Sequence, residues 1–189
     1  MVPRNPHASV SLTENVDATL DGITVWDSEI AFRLRGQTSR AGAWVVVQNT
    51  VVYHVATAVR YEDNIQNLRL WNLTLGFEVG RAFQAASSSS SGVDVRNLLV
   101  LGPQLPREAI DRSNLAVSHA SFVDAAAGDY RLADRSPAID AGASLATVTF
   151  DRIGMPRPQG MAPDVGAYEW RAPVTIDYPP GVFRPRHGR

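Results

Sequence analysis

Arginine and aromatic side chains are the residues of this chain best placed by type and spacing to do chemistry. Arg33 and Arg60 recur in matched contexts, Ala-Phe-Arg-Leu and Ala-Val-Arg-Tyr, with Arg35, Glu62 and Asp63 close by. On adjacent strands such arginines stand about 4.8 Å apart and form a short positive stripe. Planar guanidinium groups hold carboxylates bidentately, so the stripe suits the uronates of an acidic polysaccharide. Arg33, Arg60 and Asp63 are then the catalytic candidates, with an arginine as an unusual base. The competing expectation is a solvated face on which Arg33 and Arg60 pair with Glu62 or Asp63.

Trp26, Tyr53 and Trp71 make a second set. Outward aromatic faces stack on sugar rings, so these three with Arg33 and Arg60 are the substrate-binding candidates. Packing beneath a loop, such as the Ser-rich run near residue 90, is the alternative. No convincing pair of catalytic carboxylates stands out. Asp27 and Glu29 fall in a loop segment, and Glu62 has no counterpart in a neighbouring repeat. His54, beside Tyr53, reads as a surface residue. Asn72-Leu73-Thr74 fits the N-glycosylation pattern, but Asn72 is expected to be buried.

The elements that must position these groups come from a motif used four times. It reads apolar-x-apolar-x-(Asn or Gly), then apolar residues again, with its start at Ala18, Val45, Leu68 and Val93. Its pivots are Gly22, Asn49, Asn72 and Asn97. Alternation of period two on both sides makes the unit one of strands, and stacking such units buries a continuous core. Asn and Gly tolerate the left-handed backbone of a sharp corner. The expectation is an all-β chain, a right-handed parallel β-helix with an irregular C-terminal capping module. Gly22, Asn49, Asn72 and Asn97 form its structural ladder, the asparagines bonded side chain to side chain. A second strand per coil places Phe32/Leu34, Val59/Tyr61 and Phe83/Ala85 inward, with Arg33, Arg60 and Gln84 outward.

Composition narrows the chemistry. The 189 residues carry a formal net charge of −1, which gives no argument for nucleic acid. All 18 basic residues are Arg, so a lysine base or Schiff base is excluded. Cys is absent, which removes disulfides, thiolate nucleophiles and Cys-ligated metals. No apolar run is long enough to span a bilayer, and the N-terminus lacks a signal-like apolar region. The organisation expected is an irregular lead-in over 1–14, coils over 15–121, a capping module over 122–170 and a Pro/Arg-rich tail over 171–189. With no polar cap visible before Thr13, the expectation is either further coils N-terminal to this chain or an oligomeric partner covering that end.

The last module carries a linked motif set: Gly128-Asp129-Tyr130-Arg131-Leu132, Ser136-Pro137-Ala138-Ile139-Asp140-Ala141-Gly142, Asp151-Arg152-Ile153-Gly154-Met155-Pro156-Arg157-Pro158 and Asp164-Val165-Gly166-Ala167-Tyr168-Glu169. In that order the set closely resembles the C-terminal module of bacterial β-helix proteins of the choice-of-anchor Q type. The resemblance implies an extracellular or cell-surface setting within a longer protein, and a glycan partner that is bound or cleaved. The surface-anchor segment of that type is not seen after the module. From the residues themselves, Asp151 and Asp164 are spaced to bracket a buried Arg157. Loop carboxylates at Asp140, Asp151 and Asp164 are the alternative, a Ca²⁺ site with no defined loop spacing; otherwise no cofactor is expected. The function expected is a polysaccharide-binding or structural module. The alternative is a lyase or hydrolase acting on an acidic glycan along the Arg33/Arg60 column.

Overall fold

Each pivot of the repeat is a corner. Gly22 has φ +70°, and Asn49, Asn72 and Asn97 have +49°, +53° and +54°. This computed structural model describes residues 5–13, 16–35, 44–62, 65, 67–86 and 92–172. Strands on both sides of the corners pair in parallel and stack into a β-solenoid of about three turns. Before the corner, β2 (Ala18–Asp21), β4 (Trp44–Glu62), β5 (Asn67–Leu75) and β7 (Val93–Arg96) lie side by side. Their register sets Leu20, Val47, Leu70 and Val95 in one column. After the corner, β3 (Thr24–Arg35) joins the continuing β4 and β5, then β8 (Leu99–Leu101) and β9 (Leu115–Val117).

A further face is formed by the ends of β3 and β4 with β6 (Val79–Ala85). Phe32, Val59 and Phe83 stack there in register, as do Leu34 and Tyr61, and all are buried. Alternation dictates this, because each residue between two inward ones must face out. Ala85, expected inward, is exposed at the strand's end.

Residues 5–12 correct the expectation of an irregular lead-in. They form β1 (Asn5–Leu12), paired in parallel with β3 through Val10↔Phe32 and Leu12↔Leu34. Val10 and Leu12 pack on the core, so the short alternation Val10-Ser11-Leu12 is enough to add a rung.

The module after residue 118 holds one small antiparallel pair, β10 (Phe122–Asp124) and β11 (Asp129–Leu132), and is otherwise irregular. It lies along the flank of the solenoid, over the pivots. Phe122, Tyr130, Leu132, Val165 and Ala167 pack on Val51 and Leu99, which project from the coils beside the corner. Val148 packs on Val46 and Trp71 on the other side of it. This explains why apolar residues of both parities flank the second pivot, Val45-Val46-Val47 before it and Val51-Val52 after it: sheets covered on two faces read as continuous apolar runs.

Candidate functional site

At the pivot corner Asn49 and Asn97 bond to the module, and no pivot asparagine bonds to another. Asn49 donates to the Asp21 carboxylate at 2.9 Å and to the Phe150 carbonyl at 3.1 Å. Asn97 exchanges both its amide bonds with the backbone of Ala143, at 2.9 and 2.8 Å. Asn72, between them, is buried with neither amide atom partnered among the described residues. The expected ladder of side-chain bonds is thus replaced, at Asn49 and Asn97, by bonds to two irregular loops. This corner is sealed and structural.

Beneath the module sits the buried arginine expected from sequence, with a different first partner. The side chain of Arg157 is 2% exposed and meets that of Glu169, 0% exposed, at 2.7 Å. It also donates to the carbonyls of Asp164 and Gly166 and to Asn49 Oδ1. Asp151 and Asp164 contribute their charge nearby, but their carboxylates accept backbone N–H groups. Asp140 likewise accepts from Ala162 N–H. Among the described residues no three His, Cys, Asp or Glu are grouped to hold a metal ion, and the proposed Ca²⁺ ligands are engaged in these backbone bonds.

Burial pushes the Asp164 and Glu169 carboxyls above their ordinary values, against the pull of N–H donors and of Arg157. The sign follows directly. Between the unfolded and the raised folded value the native state binds more protons, so these two groups make stability fall as pH rises through that window. Carboxyl ¹³C titration is expected to give midpoints for both above the usual carboxylate range. A Glu169 midpoint below it would show that attraction to Arg157 outweighs burial.

The arginine column is real, and its three guanidinium groups share one carboxylate. Arg33, Arg60 and Gln84 are in register and point outward, as the alternation requires. Glu62, nearly buried, meets Arg33 Nε at 2.5 Å, Arg60 at 3.6 Å and Arg35 at 3.8 Å. Beside them a pocket of about 360 Å³ is lined by His7, Ser11, Glu29, Arg33 and Arg60. Asp63, the third catalytic candidate, lies outside the described residues.

A second corner carries more chemistry. Asp27, His54 and Glu78 each have φ +51°, the left-handed region again. Pairing of Trp26 with Tyr53 and of Ser28 with Val55 brackets Asp27 against His54. Phe77 O accepts from His54 N–H at 2.7 Å and Glu78 O from Val55 N–H at 3.1 Å, which adds the third rung. Asp27 Oδ1 stands 3.4 Å from His54 Nδ1.

Alongside runs an aromatic row. Trp26, 53% exposed, lies parallel to Tyr53, with centroids 6.1 Å apart and planes 7° apart. His54 meets Tyr53 and Phe77 edge-on, and Phe77 meets His119 in the same way. A cleft of about 590 Å³ opens there, lined by Phe77, Glu78, Leu101, Ser118 and His119. Burial, and then the Asp27 carboxylate, pushes the Tyr53 phenol above its ordinary value, so it remains a neutral hydroxyl.

The module supports this row from below. Tyr130 packs against Tyr53, with ring centroids 5.3 Å apart, and its hydroxyl accepts the Phe77 N–H at 2.8 Å.

Trp26 and Tyr53 are therefore brought together as expected, and Trp71 is not. Trp71 is only 9% exposed, packs on Val46 and Val148, and donates Nε1–H to Asp94 at 3.0 Å. It precedes its pivot, and so falls on the strand that the module covers. Asp27, His54 as a partner of Asp27, Glu78 and Phe77 were missed as a set. Their signal is an aromatic–ionisable dipeptide in successive coils, Trp26-Asp27, Tyr53-His54 and Phe77-Glu78. It follows the pivot by a constant offset in the first two coils and by one residue more in the third, where Gly76 intervenes.

The chain matches no family model, and neither a curated protein nor a solved structure matches it. What its own geometry defines is a parallel β-solenoid with one sealed corner and one open, aromatic and ionisable corner.

Proposed function

We propose that the chain is a polysaccharide-binding β-solenoid module, and that sugar rings lie along the open corner. The observation carrying this reading is the parallel Trp26–Tyr53 pair on adjacent rungs, Trp26 exposed and Tyr53 half-buried, with Asp27 and His54 at its edge. Aromatic faces take the apolar face of a sugar, and carboxylate, imidazole and hydroxyl groups take its hydroxyls. The C-terminal motif set supports a secreted or cell-surface bacterial setting for such a module.

Affinity electrophoresis against polygalacturonate, alginate, hyaluronan and neutral β-glucans tests it. Retardation by at least one polymer is expected, weakened roughly two- to tenfold by Trp26→Ala, since loss of one stacking face removes on the order of 0.5–1.5 kcal/mol. Retardation that survives Trp26→Ala and disappears in Arg33→Ala/Arg60→Ala would move the site to the arginine column and favour an acidic glycan there.

A further inference from the structure

The geometry points to a second binding site, apart from the open corner: the pocket beside Arg33 and Arg60 holds a phosphate dianion, free or as the end of a small phosphate monoester. The site stands independently of the glycan reading above.

Register builds it. Ser11 of β1 pairs with Arg33 of β3, Arg33 with Arg60 of β4, and Arg60 with Gln84 of β6. Four hydrogen-bond donors on four successive rungs therefore share one outward column, each about 4.8 Å from the next. The adjoining column, Val10, Phe32 and Val59, packs on the core and fixes the strands beneath. His7 and Glu29 complete the lining of the 360 Å³ pocket, a volume suited to a small ligand.

Charge selects an anion. Arg33, Arg35 and Arg60 share the Glu62 carboxylate, and only Arg33 reaches it within hydrogen-bond distance. Arg60 stands 3.6 Å away, and its Nε is buried without a partner among the described residues. With Glu29 counted as well, three guanidinium groups face two carboxylates, which leaves one positive charge over before His7 adds any.

Shape and valence select phosphate. A single guanidinium fork already satisfies both oxygens of a carboxylate. Two forks on adjacent rungs, with a hydroxyl on a third, match an anion whose oxygens point in more directions, as those of a tetrahedral phosphate do. A phosphate monoester carries about −1.5 to −2 at neutral pH, whereas acetate and methyl sulfate carry a single charge.

Calorimetric titration of the full chain at neutral pH and fixed ionic strength tests this, with inorganic phosphate and phenyl phosphate as probes. Saturable binding of phosphate is expected, at least about tenfold tighter than that of acetate or methyl sulfate. Tighter binding of phenyl phosphate assigns the site to monoesters, and equal binding assigns it to free phosphate. Arg60→Gln should weaken binding about tenfold or more, since hydrogen bonds to charged groups are lost. Arg131→Gln, whose guanidinium pairs with Asp129 in the module, should leave it unchanged. Glu29→Gln should tighten binding about two- to fivefold by removing a like charge from the pocket, a gain that a damaged fold cannot produce. Three results overturn the inference: no saturable binding of either probe, acetate bound as tightly as phosphate, or affinity unmoved by both Arg60→Gln and Glu29→Gln.

Discussion

Replacing Arg157 with Met is expected to lower unfolding stability by about 3–5 kcal/mol, the usual cost of removing one partner from a buried ion pair. Few positions should matter more. Arg157 joins Glu169, the carbonyls of Asp164 and Gly166, and the Asn49 side chain of the second pivot. Without it the Glu169 carboxylate is left buried beside only the N–H groups of Asp164 and Gln159. Because burial already raises the Glu169 carboxyl, the variant relieves itself by protonation, and its deficit should shrink as pH falls. A paired change, Arg157→Met with Glu169→Leu, should recover part of the loss, since an apolar pair carries no desolvation cost. Urea denaturation at neutral and acidic pH measures all of this. A deficit under 1 kcal/mol for Arg157→Met would mean that the flank is held by its apolar contacts alone.

Tyr130→Ala is expected to cost a similar amount, about 3–5 kcal/mol, as large-to-small changes at buried aromatics do. The ring is 1% exposed, packs on Phe122 and Tyr53, and fills the space above Gly76, where an added Cβ would lie 2.1 Å from it. Tyr130→Phe keeps the ring and removes the acceptor of the Phe77 N–H, so about 1–3 kcal/mol is expected for leaving that donor without its partner. The two variants should also separate in glycan retardation. Alanine withdraws support from Tyr53 and frees Phe77, and so weakens binding, whereas phenylalanine leaves the aromatic row in place. Equal retardation by Tyr130→Ala and the unaltered chain would show that the row stands without the module.

The coils were legible because one pattern is written four times. Leu20, Val47, Leu70 and Val95 hold the same place relative to their pivots and lie in one column in the structure. Inward Phe32 and Val59 with outward Arg33 and Arg60 followed from the same alternation. Where the module would lie was not legible. Asn49 meets residue 150 and Asn97 meets residue 143 through irregular loops that have no period to read. Arg157 could be placed between carboxylates by spacing, but its choice of Glu169 depends on a three-dimensional turn. The open corner escaped for a smaller reason: one extra residue at Gly76 shifts Phe77-Glu78 out of step with the dipeptides of the earlier coils.

The flank bonds also tie together parts of the chain that the coils leave apart. Stacking one coil on the next joins residues some 23 to 27 positions apart. Arg152 meets Thr24 across 128 positions, and Arg157 meets Asn49 across 108. Without the module the coils would present Val51, Leu99 and Trp71 to water. An exposed apolar face of that kind invites association with other chains, so the flank shields the solenoid as well as fastening it.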